Sequence, residues 1–236
     1  MNQAPFATGA VSAHYDGRIG AQRSGVGDMA QTQMAQAHEV KIALADPTAL
    51  GVFGLSLITL VASTAKLGWT SSTVYVIPWA LVLGGIAQIW ASTIDFKRQN
   101  YFGSIVLGAY GLFWVAVAFT WAAQGGLFGD AWKAADIKPF GWACLGYLVF
   151  SAFVTVAAWH ANKVFGLILS LILVLLLALG LQVLGVAPSV FGKVAGWSEL
   201  AIALCGLYAT GALFLNAFFG RQVLTLGKGV TWIKRA

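Results

Sequence analysis

Few side chains in this sequence could handle a solute, and those inside the apolar runs are neutral. Gln88, Tyr110 and Asn216 fall inside or at the end of long apolar runs, with Ser56, Thr59 and Ser92 as further hydroxyl groups. A polar side chain at that depth either bonds another helix or lines a water-filled path. Such groups can replace water around a small polar solute, and an apolar constriction beside them excludes hydrated or larger ones. Ser and Thr hydroxyls more often bond the carbonyls of their own helix. The ionisable residues Asp46, His160 and Glu199 all read as lying near the ends of apolar runs, where capping or exposure explains them. Glu199 is expected in the first turn of a helix, where negative charge suits the dipole. No Ser/His/Asp constellation, metal-ligand spacing or phosphate loop is visible, so an enzyme, a cofactor or a bound metal is not expected.

The elements that must position these groups are six apolar blocks, at about 49–65, 74–94, 101–123, 140–160, 164–186 and 195–219. A helix needs roughly 20 mostly apolar residues to cross the hydrocarbon core, and its backbone polar groups must be paired within the protein. Buried helices of a soluble protein would carry charged outer faces. With 9% charged and 59% hydrophobic residues, such faces are missing. The fold class expected is therefore an all-α integral membrane protein with six transmembrane helices per protomer. Three regions follow: a tail over 1–45, disordered with a helix near its end; the membrane domain over 46–226; and a basic tail over 227–236. Cys144 and Cys205 sit inside apolar blocks as small packing residues.

The net charge of +6 could suggest nucleic acid, but the distribution of Lys and Arg argues for membrane topology instead. With six spans, the termini and the loops after spans 2 and 4 share one side. Leaving aside the distant Arg18 and Arg23, that side carries eight basic residues, and the other carries Lys66, Lys133, Lys138 and Lys193. Both termini are expected in the cytoplasm, with no nucleic-acid partner. Trp69, Trp132, Trp142, Trp159, Trp197 and Trp232 fall near block ends, as an aromatic belt requires.

Four segments carry more information. Residues 45–54 read ADPTALGVFG, in which Asp46 can cap a helix and Pro47 suits its first turn. Gly51 and Gly54 leave one strip of that helix bare. Residues 84–103 read GGIAQIWASTIDFKRQNYFG, whose DFKRQN portion looks like a short solvated turn. The third segment is YGLFW from Tyr110 to Trp114, and the fourth is NAFFGRQVLTLG from Asn216 to Gly227.

Together these resemble the acetate uptake transporter family, whose bacterial members are the succinate–acetate permeases. The family's NPAPLGL is matched at Pro47, Leu50 and Gly51, with Asp46 in place of Asn. Its GGIAQI, acidic–aromatic–basic turn and N-x-F-G are all present. Its closing motif keeps Asn216 and departs at Ala217 and Thr225. The resemblance spans about residues 45–228. It implies a transporter or channel for acetate and related small carboxylates, proton-coupled or passive, in a plasma membrane. It also implies assembly into a homo-hexamer. The family's narrow point of Phe, Tyr and Leu maps onto Leu55, Tyr110 and either Leu171 or Ile172. The pathway set expected is thus Asp46, Pro47, Leu50, Gly51, Leu55, Gln88, Tyr110, Leu171, Ile172 and Asn216. For Gln88, Tyr110 and Asn216, tying or capping helices stays open beside lining the path. The competing function is a membrane sensor or ammonia-related signalling protein, for which the N-terminal tail would supply the partner surface.

Overall fold

The computed structural model describes residues 44–233. The N-terminal tail expected over 1–45 therefore lies almost wholly outside the described residues. Among the described residues six helices are long and apolar enough to cross a membrane: α1 (Thr48–Lys66), α2 (Val74–Lys97), α3 (Tyr101–Gln124), α4 (Lys138–Ala161), α5 (Lys163–Val183) and α6 (Pro188–Phe219). A single helical turn, Asp130–Lys133, lies between α3 and α4. No strand occurs among the described residues, where the one β-type pairing is an isolated bridge between Asn162 and Lys228.

Local chemistry sets the helix starts. Asp46 accepts the Thr48 N–H at 2.9 Å, Asn100 accepts from Gly103 at 3.3 Å, and Asn162 accepts from Phe165 at 2.8 Å. Each satisfies an amide that the first turn leaves free. At the other ends, Gly185 (φ 87°) follows α5 and Gly220 (φ 61°) ends α6, both in the left-handed region that glycine enters freely.

Two boundaries differ from the sequence expectation. α5 stops at Val183 rather than near 186. α6 begins at Pro188, seven residues before 195, because proline is tolerated where no N–H is needed. The Gly, Ser and Lys of this stretch dilute its apolar signal and hide the helix start. The consequence is large: Glu199 lies eleven residues into α6, fully buried, and not in its first turn. Asp95 is corrected in the same way. Instead of standing in a solvated turn, it lies within α2 with its side chain completely buried.

α1 packs most extensively on α6, α4 on α5, α5 on α6, and α2 on α3. Bare backbone makes the α1–α2 approach possible: a Cβ at Gly54 would collide with the Leu83 carbonyl. In the same region α2 departs from α geometry. Residues Ala80–Ala87 form a π-helical stretch, flanked by a helical start and by regular helix from Gln88 onward. Such stretches are rare and concentrate at functional sites. Trp69, Trp132, Trp142, Trp197 and Trp232 are exposed, as expected of a belt, whereas Trp159 is half-buried and donates to the Ser170 hydroxyl at 3.2 Å.

After α6 the chain folds back. Asn216 accepts the N–H groups of Val223 (2.6 Å) and Leu224 (3.0 Å) and donates to the Leu224 carbonyl (2.8 Å). The returning segment then meets the α4–α5 junction. The first amides of α5, Lys163 and Val164, donate to Gly227 and Leu226, and Val230 donates to the carbonyl of Trp159 near the end of α4.

Candidate functional site

The site is a cavity of about 100 Å³ enclosed by α1, α2, α3 and α5. Its walls are mainly apolar: Val52 and Leu55 from α1, Val106 and Leu107 from α3, and Ile168, Leu169 and Ile172 from α5. Thr48, Asn100 and Gly103 line it toward the end where α1 and α3 begin. Small-solute sites commonly combine an apolar wall with a few placed polar groups. Here the deepest such group is Gln88.

The Gln88 side chain is completely buried. Its Nε2 donates to the Gly84 carbonyl at 2.7 Å, while its Oε1 has no partner among the described residues. Leaving a buried acceptor unmatched costs about 1–3 kcal/mol. The cost is accepted at the first residue after the π stretch, in a side chain on the cavity wall.

Tyr110 closes the inner end. Its hydroxyl is 2.7 Å from Ser151 on α4, and its ring packs near Phe150 at 6.2 Å and Tyr147 at 6.5 Å between centroids. Tyr147 in turn donates to the Ala109 carbonyl at 3.0 Å. Tyr110 thus both lines the cavity and joins α3 to α4 through its hydroxyl.

One helical turn further along α3 and α5, beyond Tyr110 and Ile172, Phe113, Trp114 and Leu175 form the wall of a second, smaller space of about 30 Å³. Its polar lining is Lys66 from α1 and Glu199 from α6, joined at 2.9 Å through both carboxylate oxygens. At the opposite end of the first cavity, Arg98 Nη1 lies 3.1 Å from Asp46 and 3.2 Å from Asp95. Partial burial would raise the Asp46 pKa, but the hydrogen bonds from Thr48 and the charge of Arg98 outweigh it and hold the carboxyl below its ordinary value.

The structure therefore brings Leu55, Gln88, Tyr110 and Ile172 to one cavity. Ile172 rather than Leu171 faces it; Leu171 is half-buried against the core. Asp46 stands beside Thr48 at the mouth. Pro47 is buried at the start of α1, and Gly51 lets Leu107 and Ala91 approach so closely that a Cβ would not fit. Leu50 is 40% exposed and Asn216 fastens the returning C-terminal segment, so neither lines the cavity. Sequence reasoning missed Asp95 and the Lys66–Glu199 pair. The close Gly103 hints at Asp95, since a Cβ there would strike its carboxylate. Nothing local links Lys66 to a residue 133 positions away.

Comparison with known proteins identifies the family and the fold. Residues 27–227 match the GPR1/FUN34/yaaH family. The chain is 30% identical over 189 residues to the succinate-acetate/proton symporter SatP of Escherichia coli K12, covering 78% of this chain and 96% of that one. It is 27% identical over 132 residues to acetate permease A of Emericella nidulans, covering 52% and 44%. The solved structure of the bacterial acetate channel SatP superposes with a TM-score of 0.71 at 25% identity, over 78% of this chain and all of the other.

Proposed function

Because the chain belongs to the GPR1/FUN34/yaaH family, we propose that it carries acetate and related small carboxylates across a plasma membrane through the cavity of Leu55, Gln88, Tyr110 and Ile172. The observation that carries the reading is the unmatched Gln88 oxygen in a mainly apolar cavity. A carboxylate in company with water, or a protonated carboxylic acid, offers a donor to that oxygen and a methyl group to the walls. The stack of Tyr110, Phe113 and Leu175 beyond it is apolar and narrow, which suits a small solute better than a hydrated ion. The relatives are a symporter, a permease and a channel, so the solute crosses unchanged.

The excess of Lys and Arg at the Arg98 end supports cytoplasmic termini and an outward-facing Lys66 end. The open groove between α3 and α4, where Ala109, Ala143 and Gly146 lie beside Tyr147 and Phe150, favours close packing of protomers, and the family resemblance extends this to a ring of six. A stable monomer by native mass would count against the ring.

The test of transport is uptake of labelled acetate by purified, reconstituted protein. Saturable uptake, competed by other short carboxylates, is expected. Uptake no faster than in protein-free liposomes would refute the reading. The sensor alternative places its partner surface in the N-terminal tail, outside the described residues.

A further inference from the structure

The Lys66–Glu199 pair is an expensive construction with no evident structural need. Glu199 is 1% exposed, and Lys66 is its one hydrogen-bond partner among the described residues. Lys66 is 15% exposed, and its ammonium also sits 5.3 Å from the centre of the Trp121 ring. Desolvating two charges costs several kcal/mol per ion, and well-packed apolar residues often serve stability as well or better. This pair also faces a cavity, stacked on the same helices as the Gln88 cavity and separated from it by the Tyr110–Phe113 and Ile172–Leu175 layer.

We propose that Lys66 is a carboxylate-binding group at the outer end of the path, and that Glu199 is a resident carboxylate which the solute displaces as Glu199 takes up a proton. The inference rests on the transport reading above and deepens it by naming where anion and proton meet. Two observations drive it. First, the space beside the pair is about 30 Å³, room for about two waters at about 10–15 Å³ each. Glu199 already holds the Lys66 ammonium through both of its oxygens, so a second carboxylate reaches Lys66 in competition with the first and takes its place. Second, the site must stay neutral. Lys66 with ionised Glu199 has no net charge; adding an anion alone would bury one uncompensated. If the solute anion pairs with Lys66 and one proton from water on that side forms an O–H bond on Glu199, the charge again sums to zero. The hydronium that delivers the proton loses one O–H bond and becomes water; when the solute moves on toward Tyr110 it takes the proton from Glu199 as a carboxylic acid, so anion and proton enter together and the Lys66–Glu199 pair re-forms.

Few other groups can disturb this exchange. From α3 the pair faces Trp121, from α5 Leu175 and Leu179, and from α4 Phe140, with the Cys144 thiol within electrostatic reach of Lys66. Among these packed helices no further carboxylate or cation acts on Glu199.

The experiment measures acetate uptake by the full chain in liposomes across external pH, with an internal pH dye counting protons. Glu199→Gln removes the resident charge. It should lower the KM for acetate, flatten the pH profile and uncouple proton entry. Lys66→Gln should raise KM about tenfold or more, the size of a lost charged hydrogen bond. The neutral double variant, Lys66→Gln with Glu199→Gln, guards against misfolding of either single change. It should fold, keep the raised KM and show no pH dependence. A double variant with wild-type KM and pH profile would overturn the proposal, as would single variants that lose only stability and maximal rate. Wild-type protein that carries acetate with Glu199→Gln still coupled sinks this inference alone. Wild-type protein that carries no acetate sinks it together with the transport reading.

Discussion

Replacing Gln88 with leucine separates a role in the path from a role in packing, because the two predict changes of different sign. The variant keeps nearly the same volume. It loses the 2.7 Å bond to the Gly84 carbonyl, worth about 0.5–1.5 kcal/mol net, and it also removes the unmatched Oε1, whose burial costs about 1–3 kcal/mol. The protein should therefore be as stable as before or more stable by about 1 kcal/mol. Transport should move the other way. A hydrogen bond from the solute or its water to Oε1 contributes about 1 kcal/mol, so KM should rise about fivefold at 1.36 kcal/mol per tenfold. Thermal unfolding in detergent and acetate uptake in liposomes, measured on the same preparation, provide the two quantities. Unchanged KM with raised stability would remove Gln88 from the path. A stability loss above about 2 kcal/mol would show that the amide holds the bundle together, and would refute the claim that the unmatched oxygen costs more than the Gly84 bond contributes.

Other changes test neighbouring parts. Tyr110→Ala should widen the inner end and raise the ratio of succinate to acetate uptake, whereas a purely structural Tyr110 would depress both equally; transport of the two in folded, reconstituted protein decides. Gly54→Ala should destabilise by about 1–3 kcal/mol, since its methyl group meets the Leu83 carbonyl, which is backbone and cannot rotate away; unfolding temperature measures it, and a neutral result would contradict the α1–α2 approach. The lowered Asp46 pKa means that its contribution to stability is complete above the ordinary value of 3.8 and is lost as pH falls through the folded value. Asp46→Asn should accordingly lose stability near neutrality and flatten the acid limb below about pH 4, read by unfolding at a series of pH values.

Much of this was legible in the sequence for a physical reason. Membrane solvent imposes one rule on every backbone amide, so length and hydropathy alone delimit helices such as α3 to within a residue. The same rule made Gln88 conspicuous, because an amide in an apolar run always needs explanation. What stayed hidden depends on partners distant in the chain. Lys66 read as an ordinary loop cation, and Glu199 as a dipole-matched carboxylate at a helix start, because their pairing exists only once α1 lies on α6. Asp95 read as solvated because its neighbours Lys97 and Arg98 are charged, yet its own position turns inward beneath Gly103. Asn216 has the appearance of a path residue by type and place, and is spent instead on the returning backbone.

That returning backbone has a consequence for how the protein is made. The amides that open α5 and a carbonyl near the close of α4 find their partners at Leu226, Gly227 and Val230, all beyond the last span. The α4–α5 hairpin thus emerges from the ribosome, and enters the lipid, with its tip still incomplete. That tip is finished only once Leu226, Gly227 and Val230 have been translated and folded back. A nonsense codon just after Phe219 would spare every span and still leave the hairpin open at its tip. Such a product should be a target for quality-control proteolysis even though a hydropathy plot would judge it intact.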